Sequence, residues 1–237
     1  MIQEKIAHPP VATKEEWRKA RVDLLIREKA ATRLKDKIAA DRRRLPMVKV
    51  DKNYTFDSAE GKVSLPDLFG DKQTLIVYHF MFEPDAEKGC PGCTSYIDAL
   101  AAVDMETLTR RNTAFVIVSR APIEKLEKYR KERGWSWNWV SSFGSDFNYD
   151  FDVTQDSDVK PVEYNYKMAE DQTQKGEVPG TSVFFRLGDE IYHTYQMFAR
   201  GNEGTAESYG LLDLTPYGRQ EDWEDSPEGW PQKPTYG

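Results

Sequence analysis

Thr74–Arg111 reads TLIVYHFMFEPDAEKGCPGCTSYIDALAAVDMETLTRR. It opens with a run from Leu75 to Phe82 that is rich in β-branched and aromatic residues, the length of a strand buried on both faces. A polar loop, Glu83–Gly89, leads to Cys90-Pro91-Gly92-Cys93. Beyond it, Tyr96, Ile97, Leu100, Ala101, Met105 and Leu108 recur at the steps of a helical stripe. A Cys-x-x-Cys thus stands at a strand-to-helix junction, with Cys90 at the helix start. Helix-start amides and the positive end of the macrodipole favour a thiolate there and lower its pKa. Two thiols at this spacing close a disulfide within one turn.

The chemistry expected is that of a dithiol. Cys90, nearer solvent, is the nucleophile, and Cys93, one turn inside, resolves the mixed disulfide. The competing readings are two inert thiols or half of a zinc site. Zinc usually takes four ligands, whereas the chain has two cysteines, and His8, His79 and His193 are scattered. Thr94 rather than His follows Cys93, so no c-type haem attachment is read. No Gly-rich phosphate loop follows a strand, so the expected redox group is the disulfide itself, with no cofactor and no metal. His79 is either a proton acceptor near the dithiol or a packed strand residue; His193 is read as a surface or edge residue. Glu83, Asp85 and Glu87 place negative charge before the motif, which raises a thiolate pKa at close range.

Working outward, Met47–Phe69 reads as a small β unit turning at Glu60-Gly61. Before it, Thr13 and Glu16 have capping-box spacing and Pro46 marks a stop, predicting a helix from Thr13 to about Arg44, on the order of 45 Å long. Trp17, Ala20, Leu24, Ala31, Leu34 and Ile38 form its interrupted apolar stripe. Lys14–Arg44 holds 12 basic and 6 acidic residues, a local +6 that leaves −13 for the rest of a chain of net charge −7. A solvated helix face is the plain reading, with a homodimer contact through the stripe as a further expectation. After the cysteine helix come a second buried strand, Ala114–Ser119, and a helix from Pro122 to Arg133 stopped by Gly134. This order requires a right-handed parallel crossover. Trp135–Val140 alternates as a third strand, and Phe143–Gly176 reads as a long irregular insertion with a short strand near Val162–Tyr166. The aromatic set Trp135, Trp137, Trp139, Phe143, Phe147, Tyr149 and Phe151 is either a groove lining or core. Val178-Pro179 enters a hairpin whose turn is Leu187–Glu190, a short helix spans about Thr205–Leu212, and a polar tail begins at Pro216. The expected layout is a helical extension over 1–46, a domain over 47–215 with an insertion at about 143–177, and a tail over 216–237.

Charged residues make up 31% of the chain and its charge is negative, which argues against nucleic acid as a partner. No run approaches the roughly 18–20 apolar residues that span a bilayer. Met1–Lys5 lacks the apolar core of a signal peptide, and both cysteines lie in one motif, so a cytoplasmic location is expected.

The order strand, Cys-x-x-Cys helix, strand, helix, Val-Pro hairpin, helix resembles a thioredoxin fold, an α/β class. In that fold the proline opening the late strand is cis and faces the dithiol, and Pro179 is the matching residue. The resemblance implies that Val178, through its backbone, and Pro91 and Gly92 meet the substrate, a protein or small-molecule disulfide or thiol. Trp17 with its Arg-rich helix, Arg43-Arg44-Leu45-Pro46, Tyr78-His79-Phe80-Met81, Gly89–Cys93 and Leu212–Pro216 together resemble one bacterial family, domain of unknown function 899, labelled a predicted thioredoxin-like dithiol–disulfide oxidoreductase. The chain departs from ordinary thioredoxins in having Gly89 where they have Trp, in its Glu83–Gly89 loop, and in lacking their buried central-strand acid, for which His79 or Tyr78 falls nearest. Two other functions are compatible. One is a peroxiredoxin-like peroxidase using Cys90, although the usual Thr and Pro spaced before the cysteine are missing, Pro84 lying six residues upstream with no Thr between. The other is an interaction module that uses the fold as a scaffold.

Overall fold

A computed structural model describes residues 9–101 and 105–232; Met1–Lys5 and His8 lie outside the described residues. In chain order the helices are α1 Lys14–Arg42, α2 Pro91–Ala101, α3 Glu106–Arg110, α4 Ile123–Arg133, α5 Phe147–Asp150 and α6 Glu207–Leu212. The strands are β1 Val48–Lys49, β2 Thr55–Ser58, β3 Gly61–Ser64, β4 Thr74–His79, β5 Thr113–Ser119, β6 Trp139–Ser141, β7 Thr154–Gln155, β8 Glu163–Tyr164, β9 Lys167–Met168, β10 Gly176–Glu177, β11 Gly180–Leu187 and β12 Glu190–Phe198. The contacts divide the chain into two compact units, one of Met47–Ser208 and one of the segments up to Pro46 and from Tyr209.

Within Met47–Ser208, eight strands form one sheet in the order β1-β12-β11-β4-β5-β6-β2-β3. β4, the apolar run, lies at its middle. It pairs in parallel with β5, Leu75 opposite Ala114 and His79 opposite Val118. On its other side it pairs antiparallel with β11, Gly180 opposite His79. β11 and β12 form the expected hairpin around Gly188, whose φ of 62° suits glycine at that turn. A central strand feeding the cysteine helix, a parallel neighbour and a late antiparallel hairpin make the thioredoxin-like α/β arrangement.

The two-residue period of β4 divides the core. Leu75 and Val77 face a cluster with Phe56, Leu65, Phe69, Val118, Phe147 and Phe184. Tyr78 and Phe80 face another with Cys93, Ile97, Leu126, Trp135 and Trp139.

α1 begins as its capping box predicts: Thr13 Oγ1 accepts the Glu16 N–H at 3.2 Å, and Glu16 Oε2 accepts the Thr13 N–H at 2.8 Å. None of its residues is buried. The third strand is shorter than expected, since only Trp139–Ser141 pairs. Trp135 is withheld because its N–H closes α4 on Arg130 O at 3.0 Å and its indole N–H reaches Asp98 Oδ1 at 2.8 Å. Within 143–177 the backbone is more regular than expected, with α5 and two small ribbons, β7–β10 and β8–β9. His193 is not a surface residue. It is half-buried, its ring centroid 5.2 Å from that of Phe151 and 5.4 Å from that of Phe184.

Candidate active site

The site grows from the end of β4. Phe80 N–H continues the parallel pairing to Val118 O at 2.9 Å, and Ala121 N–H reaches back to Phe82 O at 2.8 Å, so the chain stays anchored past the last strand residue. The Glu83–Gly89 loop is held from beneath by Lys125 Nζ, which donates to Pro84 O at 2.7 Å and Ala86 O at 2.9 Å. The loop returns at Gly89. A Cβ there would lie 2.5 Å from Cε1 of the buried Phe80 ring, so the space of a side chain is already filled by the core.

Cys90 N–H then donates to Met81 O at 3.0 Å, and Cys90 O accepts the Thr94 N–H at 2.9 Å and the Thr94 hydroxyl at 2.8 Å. α2 therefore starts directly after Cys90, with Pro91 in the first position, where a missing N–H costs nothing. Cys90 is half-buried and Cys93 is 2% exposed; both are free thiols. Pro91 is exposed and Gly92 half-buried at the same helix start.

The two thiols are electrically unlike. The Cys90 thiol is brought down to about 6, first by the Cys93 S–H donating to it, then, against its partial burial, by the N–H groups of Cys93 and Gly92. The Cys93 thiol is pushed well above the ordinary range by its bond to Cys90, by burial and by the Cys90 charge; the Tyr78 hydroxyl and the Met81 N–H pull the other way. Cys90 is thus mainly thiolate at neutral pH, with Cys93 holding the proton beside it. The acidic loop residues Glu83, Asp85 and Glu87 are not among the causes acting on Cys90, contrary to expectation. Glu83 turns to the Glu177 N–H at 3.3 Å instead.

His79 does not reach the dithiol. As the neighbour of Tyr78 in a strand it faces the opposite side of the sheet, 5.7 Å from the Phe147 ring, its Nε2 2.8 Å from Ser182 Oγ. Burial, with His193 nearby, brings it down to about 3, so it is a neutral core residue at neutral pH and not the proton acceptor considered for it. The register that sets Gly180 opposite His79 places Pro179 just before the start of β11, beside the end of β4 from which the cysteine loop leaves. The described residues hold no cis peptide, so Val178–Pro179 is trans, contrary to the expectation. The Val178 N–H donates to Val153 O at 2.9 Å, which extends the β7–β10 ribbon through the residue before the proline. That donor is therefore used internally rather than offered to a substrate strand.

Two features were not singled out in the sequence, and a third, Tyr78, was named there only beside His79, in a motif and as nearest to the missing acid. Tyr78, 3% exposed, packs in the same buried cluster as Cys93, whose sulfur adds to the burial that raises the phenol well above its ordinary value. Tyr164 of β8 sets its ring 5.2 Å from that of Phe198, and its phenol is raised mainly by burial, with the Cys93 charge adding to it. Glu177, its side chain buried, accepts from Arg120 at 3.2 Å, Thr154 at 2.8 Å and Asn148 at 2.9 Å, latching the 143–177 segment to the end of β5. The two-residue alternation of β4 was the available signal for Tyr78; the other two depend on contacts distant in sequence. Among the described residues no three His, Cys, Asp or Glu side chains gather as a metal site, and no helix is long and apolar enough to cross a membrane.

The model of the family described as "Bacterial protein of unknown function (DUF899)" matches residues 6–236. The chain belongs to that family. The dithiol, Tyr78 and Pro179 thus all lie within the DUF899 match. No curated protein sequence matches the chain significantly. Solved structures similar to it include a mutant of PrxQ from Xylella fastidiosa, 14% identical over 70% of this chain and 96% of that one, with a TM-score of 0.45. The peroxidoxin BcpB from Mycobacterium tuberculosis is likewise 14% identical, over 69% and 93%, with a TM-score of 0.45. At that identity and score neither carries its activity over to this chain.

Proposed function

We propose that this DUF899 protein is a thiol–disulfide oxidoreductase that cycles Cys90 and Cys93 between dithiol and disulfide. The supporting observation is the placement of the pair: a half-buried Cys90 directly before the first residue of α2, its thiol brought down to about 6, and a buried Cys93 one turn inside, its thiol pushed up. Cys90 thiolate attacks one sulfur of a substrate disulfide, and the far half leaves as a thiolate. Cys93 then attacks the Cys90 sulfur and the bound half departs as a thiol, carrying away the proton that Cys93 sheds. The substrate disulfide gains two electrons and the enzyme dithiol loses them. The exposed Pro91 and the half-buried Gly92, Val178 and Pro179 are the surface assigned to the substrate. An equilibrium redox titration with thiol trapping and intact-mass readout tests the proposal. The expected result is a reversible loss of two hydrogens that disappears in Cys90→Ser and in Cys93→Ser. A protein that stays reduced across about −120 to −300 mV has no working dithiol, and a scaffold role then replaces this reading.

For α1 we infer self-association. Its stripe residues Trp17, Leu24, Leu34 and Ile38 are exposed, and its local positive charge complements the negative remainder of a second copy.

A further inference from the structure

The helix that carries the dithiol is tied to α4 turn by turn. Thr94 and Asp98 stand one turn apart on α2, as Tyr129 and Arg133 do on α4. Thr94 Oγ1 lies 3.0 Å from the Tyr129 hydroxyl, while Asp98 accepts from Arg133 and, at 2.8 Å, from the Trp135 indole N–H. One turn before Tyr129, Lys125 holds the cysteine loop at Pro84 O and Ala86 O. Successive turns of α4 thus grip the loop before Cys90, the first turn of α2 and the second.

The middle grip has a direction. Thr94 has one hydroxyl hydrogen, which it donates to Cys90 O at 2.8 Å. Tyr129 is therefore the donor in their contact, and the order runs Tyr129 O–H to Thr94 Oγ1, then Thr94 O–H to Cys90 O, each bond polarising the next. That carbonyl also accepts the Thr94 N–H at 2.9 Å, the bond that closes the first turn of α2. The Gly92 and Cys93 N–H groups, which favour the Cys90 thiolate, belong to the same turn. Gly92, low in helical preference, loosens it. Alone, a threonine hydroxyl bonded to its own i−4 carbonyl tends to bend a helix rather than brace it. Held from α4, the same bond becomes a brace. The Tyr129 ring is itself fixed, edge-on to Phe82 at 5.6 Å, Trp135 at 5.9 Å and Trp139 at 6.2 Å.

We propose that Tyr129 is a positioning residue for Cys90, its phenol orienting the Thr94 hydroxyl so that the first turn of α2 stays closed beside the reacting sulfur. The proposal deepens the oxidoreductase reading above and takes Cys90 as the nucleophile from it. Tyr129 touches no reacting atom and passes no proton along the chain. Its effect reaches Cys90 through the backbone: a closed turn keeps the Gly92 and Cys93 N–H groups on the thiolate, and an open one turns them to water.

Alkylation of the reduced full chain by iodoacetamide as a function of pH, with peptide mass identifying the modified thiol, follows Cys90 without requiring a disulfide to form. Tyr129→Phe, which keeps the ring, is expected to move the Cys90 midpoint upward by about half a pH unit, a roughly threefold slowing below the midpoint, since part of one hydrogen bond is relayed to the turn. Thr94→Val removes the relay and should raise the midpoint at least as far, whereas Thr94→Ser, which keeps the hydroxyl, should leave it in place. Tyr129→Phe added to Thr94→Val should raise it no further, because Tyr129 acts through that hydroxyl. Tyr96→Phe is the control. It takes from the same helix a hydroxyl bonded to Thr205 Oγ1 at 2.6 Å and should not move the midpoint. Cys93, Tyr78, Glu87, Lys88 and Lys125, titratable groups on the elements around Cys90, are kept in every variant. A lower melting temperature with an unmoved midpoint in Tyr129→Phe makes the phenol a structural contact only and overturns the proposal. Additive shifts overturn it too. If Tyr129→Phe does not fold, the Thr94 pair decides, and an unmoved midpoint in Thr94→Val is equally fatal. A protein that shows these shifts yet never closes its disulfide in the redox titration loses the oxidoreductase reading and keeps this one.

Discussion

A thiol held near 6 in the folded protein and near about 8.5 in the unfolded chain links redox state to stability. Because the folded value is the lower one, the contribution is complete above the unfolded pKa and is lost as pH falls through about 6. Cys93, shifted upward, acts oppositely but only above the ordinary thiol range, so the window between pH 6 and 8 belongs to Cys90. Denaturant unfolding of the reduced protein against Cys90→Ser should therefore show an advantage that grows with pH across that window. An advantage constant with pH would mean that the thiolate is not specifically stabilised. The residue scale also shows how far reading from the sequence extends. Cys90 and Cys93 were assigned their places by spacing alone, because a helix start and one turn are local geometry. His79 and Tyr78 were both left near the missing acid, and only the sheet's two faces separate them: His79 stands with Phe147 and Ser182, Tyr78 with Cys93.

At the scale of elements, α1, β4, α2, β5, α4 and the late hairpin were legible because each carries its own period and its own stop. The Trp135–Val140 alternation misled because a tryptophan's polar N–H can tether it to a helix as readily as its ring can line a strand; Asp98, 37 positions earlier, decided the matter. The short ribbons within 143–177 had no period to read, being two residues long and organised by the buried Glu177. The departure at Gly89 now has a physical cause in Phe80, whose ring occupies the space a side chain would need. Gly89→Ala must displace that ring or the loop bearing Cys90. A loss of about 1–3 kcal/mol in thermal or denaturant stability is expected, together with a shifted Cys90 titration. A variant that matches the unaltered protein in both would show that the loop yields freely.

For the whole molecule, the inferred self-association makes mass the observable. In sedimentation equilibrium the full chain should weigh about two copies, and the double variant Leu24→Glu, Leu34→Glu about one, with Cys90 reactivity preserved. Equal masses would show that α1 is simply a solvated helix. The limits of the sheet bear on a different property. An open sheet of eight strands has two rims, and each unpaired rim is a template on which another chain can lengthen it. Here one rim is only Val48–Lys49, with Pro46 just before it and Lys49 tied to Glu190 of the neighbouring strand. The other, Gly61–Ser64, carries Lys62, which pairs with Asp57 at 2.7 Å. Short, charged margins of this kind oppose strand-by-strand growth, so concentrated preparations should resist fibril formation even though the interior of the sheet is so rich in β-branched and aromatic residues.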